Sequence, residues 1–116
     1  MTDERVSGHI EVSPAAVATI ANHVVLNSYG VVGMSPKNLV NGLAQVLRPD
    51  SRRGVDVHID GDRIVIDLYV VIEYGVRIAT VASNIMSSVK FSVEKTMGVP
   101  ITAVNVHVQG LHVSTR

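Results

Sequence analysis

The sequence contains no cysteine and few aromatic residues. Without cysteine the chain has no disulfide, no thiolate nucleophile and no sulfur ligand for zinc. Tryptophan is also absent, and three tyrosines and one phenylalanine make up the whole aromatic content. Aromatic platforms that stack single-stranded nucleic acid are therefore scarce.

An excess of charge of either sign is also missing. Ten lysines and arginines balance ten acidic residues, so the formal net charge is zero. A neutral molecule has no overall field that attracts nucleic acid or an anionic membrane. Recognition of any partner must then be local.

The glycine patterns of phosphate loops and dinucleotide sites are absent, and so is the G-x-S-x-G turn of serine hydrolases. The sequence therefore predicts a protein that is not an enzyme, with no catalytic residue, no cofactor and no bound metal.

Long hydrophobic runs are missing as well. The stretch from Ile64 to Ile72 is interrupted by Asp67 and is far shorter than the ~20 residues that a membrane-spanning helix needs. The first residues, MTDERVSG, are polar and do not resemble a secretion signal. We expect a cytoplasmic protein without direct membrane insertion.

The length of 116 residues, 47% of them hydrophobic, fits one domain with one core. We predict a flexible N-terminus at 1–7, a single domain at 8–113 and a short tail at 114–116. The charged stretch at 48–53 is interpreted as an exposed loop within that domain.

Hydrophobic periodicity predicts seven elements in the order β-α-α-β-β-α-β. They are a strand at 9–12, helices from Ser13-Pro14 to Gly30 and from Ser35-Pro36 to about Arg48, strands at 55–60 and 63–73, a helix from Ile78 to about Met97, and a strand at 101–113 with a bulge or bend at Gly110. Residues 31–34 are interpreted as a connector. This order is typical of an α+β domain with a mainly antiparallel sheet and helices on one face.

The turn Gly61-Asp62 suits a two-residue hairpin and fixes the register of its strands. It sets Asp56 opposite Asp67. Like charges in this position cost stability unless a cation, a proton or a basic partner offsets them.

The sheet face opposite the helices is the predicted interaction surface, because strand alternation collects polar side chains there. The candidate interaction residues are Asp56, His58, Asp67, Tyr69, Asn105, His107 and Gln109. The same alternation also places His9, Glu11 and Glu73 on this face.

Two alternatives use particular residues. His9, His58 and His107 with Asp56 and Asp67 form a possible metal-ligand set, although no local ligand motif is present and exposed strand residues are the preferred interpretation. The segment from Gly30 to Gly33 is similar to the GXXG loop of KH domains, which clamps a nucleic-acid backbone, but its variable positions are both valine.

Four stretches together resemble the alkaline-shock-protein family of bacterial general-stress and envelope-stress proteins. They are GHIEVSPAAVATIA, GVVGMS, IVIDLYVVIEYG and AVNVHVQGL, and the resemblance runs from about Gly8 to Val113. One departure is Asn27-Ser28-Tyr29, where the family usually has an acidic residue before the GV-x-GM segment.

The resemblance implies a small cytosolic protein without known catalytic residues, which self-associates and is held at the inner face of the membrane by a separate anchor protein. The short chain resembles a subgroup encoded beside a fatty-acid-kinase-like protein with a dihydroxyacetone-kinase-type domain. The leading hypothesis is a non-enzymatic envelope-stress protein that acts by protein association or self-assembly. The alternatives are a KH-like nucleic-acid binder and an accessory protein of lipid or fatty-acid metabolism.

Overall fold

The computed structural model describes residues 7–9, 11–35 and 54–114. Within these residues the elements are α1 (Pro14–Leu26), β1 (Val31–Met34), β2 (Val55–Asp60), β3 (Arg63–Glu73), α2 (Ile78–Met97) and β4 (Ala103–His112). The predicted helix from Ser35-Pro36 lies outside the described residues from position 36 onward.

Helix α1 begins as predicted and ends earlier than predicted. The Ser13 hydroxyl accepts a hydrogen bond from the Ala16 amide, which caps the helix start. The last helical residue is Leu26, because the Asn27 backbone and side chain both bind carbonyls of the final turn. Gly30, with φ of 86°, belongs to the turn that follows.

Residues 31–34 form strand β1 and not the predicted connector. Val31 pairs with Ile72 and Met34 with Val70, both on β3. The backbone groups of β1 find their hydrogen-bond partners on a strand that is distant in sequence. A run of four apolar residues does not by itself indicate such pairing. The predicted strand at 9–12 is not present at His9 or at Glu11 and Val12.

The hairpin of β2 and β3 has the predicted register at every position. Asp60 faces Arg63, and Asp56 faces Asp67. Gly61 has φ of 64°, which suits a two-residue turn.

Strand β4 pairs with β3 in parallel over residues 65–73 of β3 and so occupies nearly the whole of one edge. Strands β2 and β1 pair with 63–68 and 70–72 of β3, both antiparallel. Because β4 fills the first edge, β2 and β1 must lie end to end along the other. Opposite Val70 and Val71, β4 carries an extra residue, Gln109, which confirms the irregularity predicted at Gly110.

The core lies between the helices and the even-numbered face of β3. Helix α2 contributes Val81, Ile85, Val89 and Val93, each at most 3% exposed. Burial of each such side chain is worth about 1.5–3 kcal/mol relative to exposure. Helix α2 ends at Met97 as predicted, and Gly98 follows it in a left-handed conformation.

The α+β class and the mainly antiparallel sheet with helices on one face are confirmed. Among the described residues, neither helix combines the length and the apolar character that crossing a bilayer requires.

Candidate functional site

The odd-numbered residues of β3 and their cross-strand partners form the sheet surface opposite the helices, here called the open face. Asp67 lies at its centre, between Asp56 on β2 and Asn105 on β4. Because β3 is flanked on both edges, side chains from both neighbouring strands, β2 and β4, reach the Asp67 carboxylate.

Three polar side chains approach the Asp67 carboxylate. The amide of Asn105 and Nε2 of His107 donate to Oδ1, each at 3.0 Å. Nε2 of His58 lies 3.3 Å from Oδ2. The histidines occupy the diagonal positions of the two neighbouring strands, so one carboxylate is held between two imidazoles.

The environment stabilises Asp67 as a carboxylate. Its side chain is only 17% exposed, and this burial favours the neutral acid. The hydrogen bonds from His107 and Asn105 and the neighbouring imidazoles outweigh that effect, so the pKa of Asp67 lies below its ordinary value. These contacts also offset the repulsion expected between Asp56 and Asp67.

Tyr69 extends this cluster. Its ring stacks on the His107 imidazole with centroids 4.6 Å apart and planes at 12°. Tyr69 was predicted to be exposed on the open face. It is only 7% exposed, so it packs beneath the surface residues. Burial, and then the charges of Asp67 and Asp56, raise the pKa of Tyr69, so its hydroxyl stays protonated at neutral pH.

The predicted site residues are therefore brought together to different degrees. Asp67, His58, Asn105, His107 and Tyr69 form one contact network. Asp56 is next to this network by register, and Gln109 is the extra residue of the β4 bulge.

A second cluster was not predicted in full. The Glu73 carboxylate binds Nδ1 of His112 at 3.1 Å and the Ser114 hydroxyl at 2.8 Å. The hydrogen bonds from Ser114 and then from His112 lower the pKa of Glu73. The signal for His112 was available, because a bulge at Gly110 reverses the alternation and turns residue 112 to the open face.

His9 and Glu11, which the alternation also placed on this face, lie outside any strand. Both are exposed, and their side chains approach each other at 3.9 Å.

An apolar rim lies at the end of the sheet beside Glu73, with Leu111 and Ile78 on the helix side. Tyr74, Ile78 and Leu111 are 63%, 40% and 46% exposed and line a shallow pocket of about 270 Å³. Exposed tyrosine and aliphatic side chains next to a polar surface are typical of sites that bind other proteins.

Neither the metal site nor the KH-like loop gains support from the described residues. Within residues 7–9, 11–35 and 54–114, no three histidine or acidic side chains are placed to share a metal ion. The segment from Gly30 to Gly33 enters β1 and pairs with β3, so it is not the free loop that a KH-like nucleic-acid clamp requires.

These features define a small α+β domain with a histidine–carboxylate surface on an open sheet. Comparison with known proteins adds its family. The chain belongs to the alkaline shock protein 23 family, described as having a cell envelope-related function, whose model matches residues 2–113. This confirms the resemblance found in the sequence.

Two curated relatives cover nearly the whole chain. The uncharacterized protein YloU of Bacillus subtilis (strain 168) is 38% identical over 109 residues, 92% of this chain and 91% of its own length. The uncharacterized protein Spy1614 of Streptococcus pyogenes serotype M6 is 36% identical over 108 residues, 91% of this chain and 89% of its own.

Among solved structures, MamM-CTD 215-293 matches with a TM-score of 0.49 and 15% identity. The match covers 82% of this chain and 95% of that one. At this level the similarity says nothing about function.

Proposed function

We propose that the protein is a non-enzymatic cell-envelope protein that acts by binding other proteins through its open face. The observation that carries the proposal is the network around Asp67, in which three strands present ordered polar groups on one surface. Membership of a family with a cell envelope-related function supports the envelope part of the proposal.

The network suits recognition better than catalysis. The Asp67 carboxylate is ionised and held by three partners, and among the described residues no serine, threonine or lysine side chain contacts it. Fixed side chains lose little conformational freedom when a partner binds, which favours affinity. Beyond Glu73, at the end of the sheet, the apolar rim of Tyr74, Ile78 and Leu111 offers hydrophobic contact of the kind found in protein interfaces.

In this proposal the protein works at the inner face of the cell membrane, where a separate protein holds it. Further copies of the chain and an anchor protein are the proposed partners. The long β4 strand also supports association, because its ten residues contain no lysine, acidic residue or proline that would protect an edge.

A complementation experiment tests the proposal. Asn105→Arg places a large cation on the exposed open face, whereas Ser87→Arg makes a comparable change on the exposed side of α2. In a strain lacking the gene, we expect Ser87→Arg to restore resistance to cell-wall-targeting antibiotics and Asn105→Arg to fail.

Circular dichroism and a melting curve must first show that both variants fold. Equal restoration by the two folded variants would contradict a role for the open face.

A further inference from the structure

The open face contains three imidazole–carboxylate pairs and one arginine among the described residues. The pairs are His58 with Asp67 at 3.3 Å, His107 with Asp67 at 3.0 Å and His112 with Glu73 at 3.1 Å. Every imidazole of β2 and β4 thus lies next to a carboxylate of the central strand.

The register also identifies the other charged groups that face these imidazoles. Asp56 and Asp60 flank His58 on β2, and Arg63 faces Asp60 across the hairpin. Tyr69 and Asn105 are the neutral neighbours of His107, and Ser114 that of His112. The helices pack on the opposite side of the sheet.

The formal charge of the open face follows from these groups. Four carboxylates, at Asp56, Asp60, Asp67 and Glu73, and the guanidinium of Arg63 give −3 when the imidazoles are neutral. Protonation of His58, His107 and His112 brings the charge of the described face to zero. Imidazoles ordinarily titrate near pH 6.5, whereas carboxylic acids titrate near pH 4 and stay ionised above about pH 5.

We infer that the open face binds a basic protein segment, and that protonation of His58, His107 and His112 weakens this binding as the pH falls below neutrality. The inference rests on the proposed function and adds the chemistry and the regulation of its partner. A lysine- or arginine-rich surface complements a face of charge −3, and this attraction is lost when the imidazoles become cationic.

The same charge argues against face-to-face pairing of two copies. At neutral pH two open faces would each contribute a negative surface, and like charges in contact are unfavourable. Self-association must then use a different surface, such as the β4 edge, while the open face remains available for a basic partner.

A peptide titration followed by NMR tests the inference. The probe is a synthetic octapeptide of alternating lysine and glycine, added to ¹⁵N-labelled protein at low salt at about pH 7.5 and about pH 5.5. We expect amide shifts at open-face residues and a dissociation constant about tenfold higher at the lower pH. A glutamate–glycine octapeptide should produce no such shifts.

Two sets of variants separate the histidines from general effects of pH. In the triple variant His58→Gln, His107→Gln, His112→Gln, the affinities at the two pH values should agree within about twofold. The variant His23→Gln, on the exposed side of α1, should still show the tenfold change in dissociation constant between the two pH values. Asp56→Asn should weaken binding a few-fold at both pH values and leave their ratio unchanged.

The outcomes distinguish this inference from the proposed function. Two results would overturn the inference and leave the proposed function standing. One is binding at the open face with the same dissociation constant at both pH values, and the other is a pH dependence that persists in the triple variant. Shifts confined to other surfaces at both pH values would count against the open face itself.

Discussion

At the scale of single residues, Asp67 is the acid on which the open face depends. Its position in the central strand gives it partners from both neighbours, His58 on β2 and His107 with Asn105 on β4. The opposition of Asp56 and Asp67 was predictable, because the Gly61-Asp62 turn fixes the hairpin. The contacts from β4 were not, since no local pattern specifies which strand is its neighbour.

The variant Asp67→Asn should be less stable than the wild type at neutral pH by about 1 kcal/mol, because a charge-assisted hydrogen bond is lost. The pKa of Asp67 is lowered in the folded state, so its contribution is present above the unfolded value of about 3.9 and disappears as the pH falls through the folded value. Urea unfolding from about pH 7 to pH 2 should therefore show the two proteins converge at the acidic end.

The matched control is Asp62→Asn, which removes an exposed carboxylate in the hairpin turn. Its stability should stay within about 0.5 kcal/mol of the wild type at every pH. If the free energy of unfolding of Asp67→Asn stayed below that of the wild type by the same amount down to the lowest pH, the Asp67 side chain would act by its shape and not by its charge.

At the scale of elements, the junction of β1 and β2 places a special demand on Gly54. Its φ is 83°, and a Cβ there would lie 2.8 Å from Cβ of Met34 and 2.9 Å from the Ser35 carbonyl oxygen. The carbonyl of Gly54 and the amide of Ser35 both bind Tyr69, which draws the two strand ends together. A side chain at position 54 has no space.

The variant Gly54→Ala should cost about 3 kcal/mol or more, because steric overlap adds to the unfavourable backbone conformation. Gly61→Ala is the matched comparison, since Gly61 also has positive φ, 64°, but nothing within 4 Å of its Cβ position. That variant should cost about 1 kcal/mol. Thermal unfolding of the two variants measures how much stability each one loses. Equal losses would show that the cost comes from backbone conformation alone and not from steric overlap.

The elements also show why sequence reasoning succeeded in some places and failed in others. The hairpin register and the bounds of α2 follow from local spacing and were predicted. Strand β1 exists because β3 pairs with it, and the parallel partner β4 is joined through a 20-residue helix. Such pairings depend on the whole fold and leave little local signal.

At the scale of the whole molecule, charge is balanced overall but unevenly distributed. The chain has zero formal charge, yet the described open face carries −3 with neutral imidazoles. Composition alone indicated only that recognition is local. The strand register was needed to show where the negative charge collects and that three histidines share its location.

Strand β3 is the one described strand with hydrogen-bonded neighbours along both edges. Its interior residues Ile66, Leu68 and Val70 are fully buried. Their amide protons can exchange with deuterated solvent only if a flanking strand first separates, so they should report the opening of the entire molecule. β4, bonded on one side among the described strands, should exchange faster. Exchange monitored by NMR would show equal protection of both strands if an additional partner, such as a second copy, covered the β4 edge.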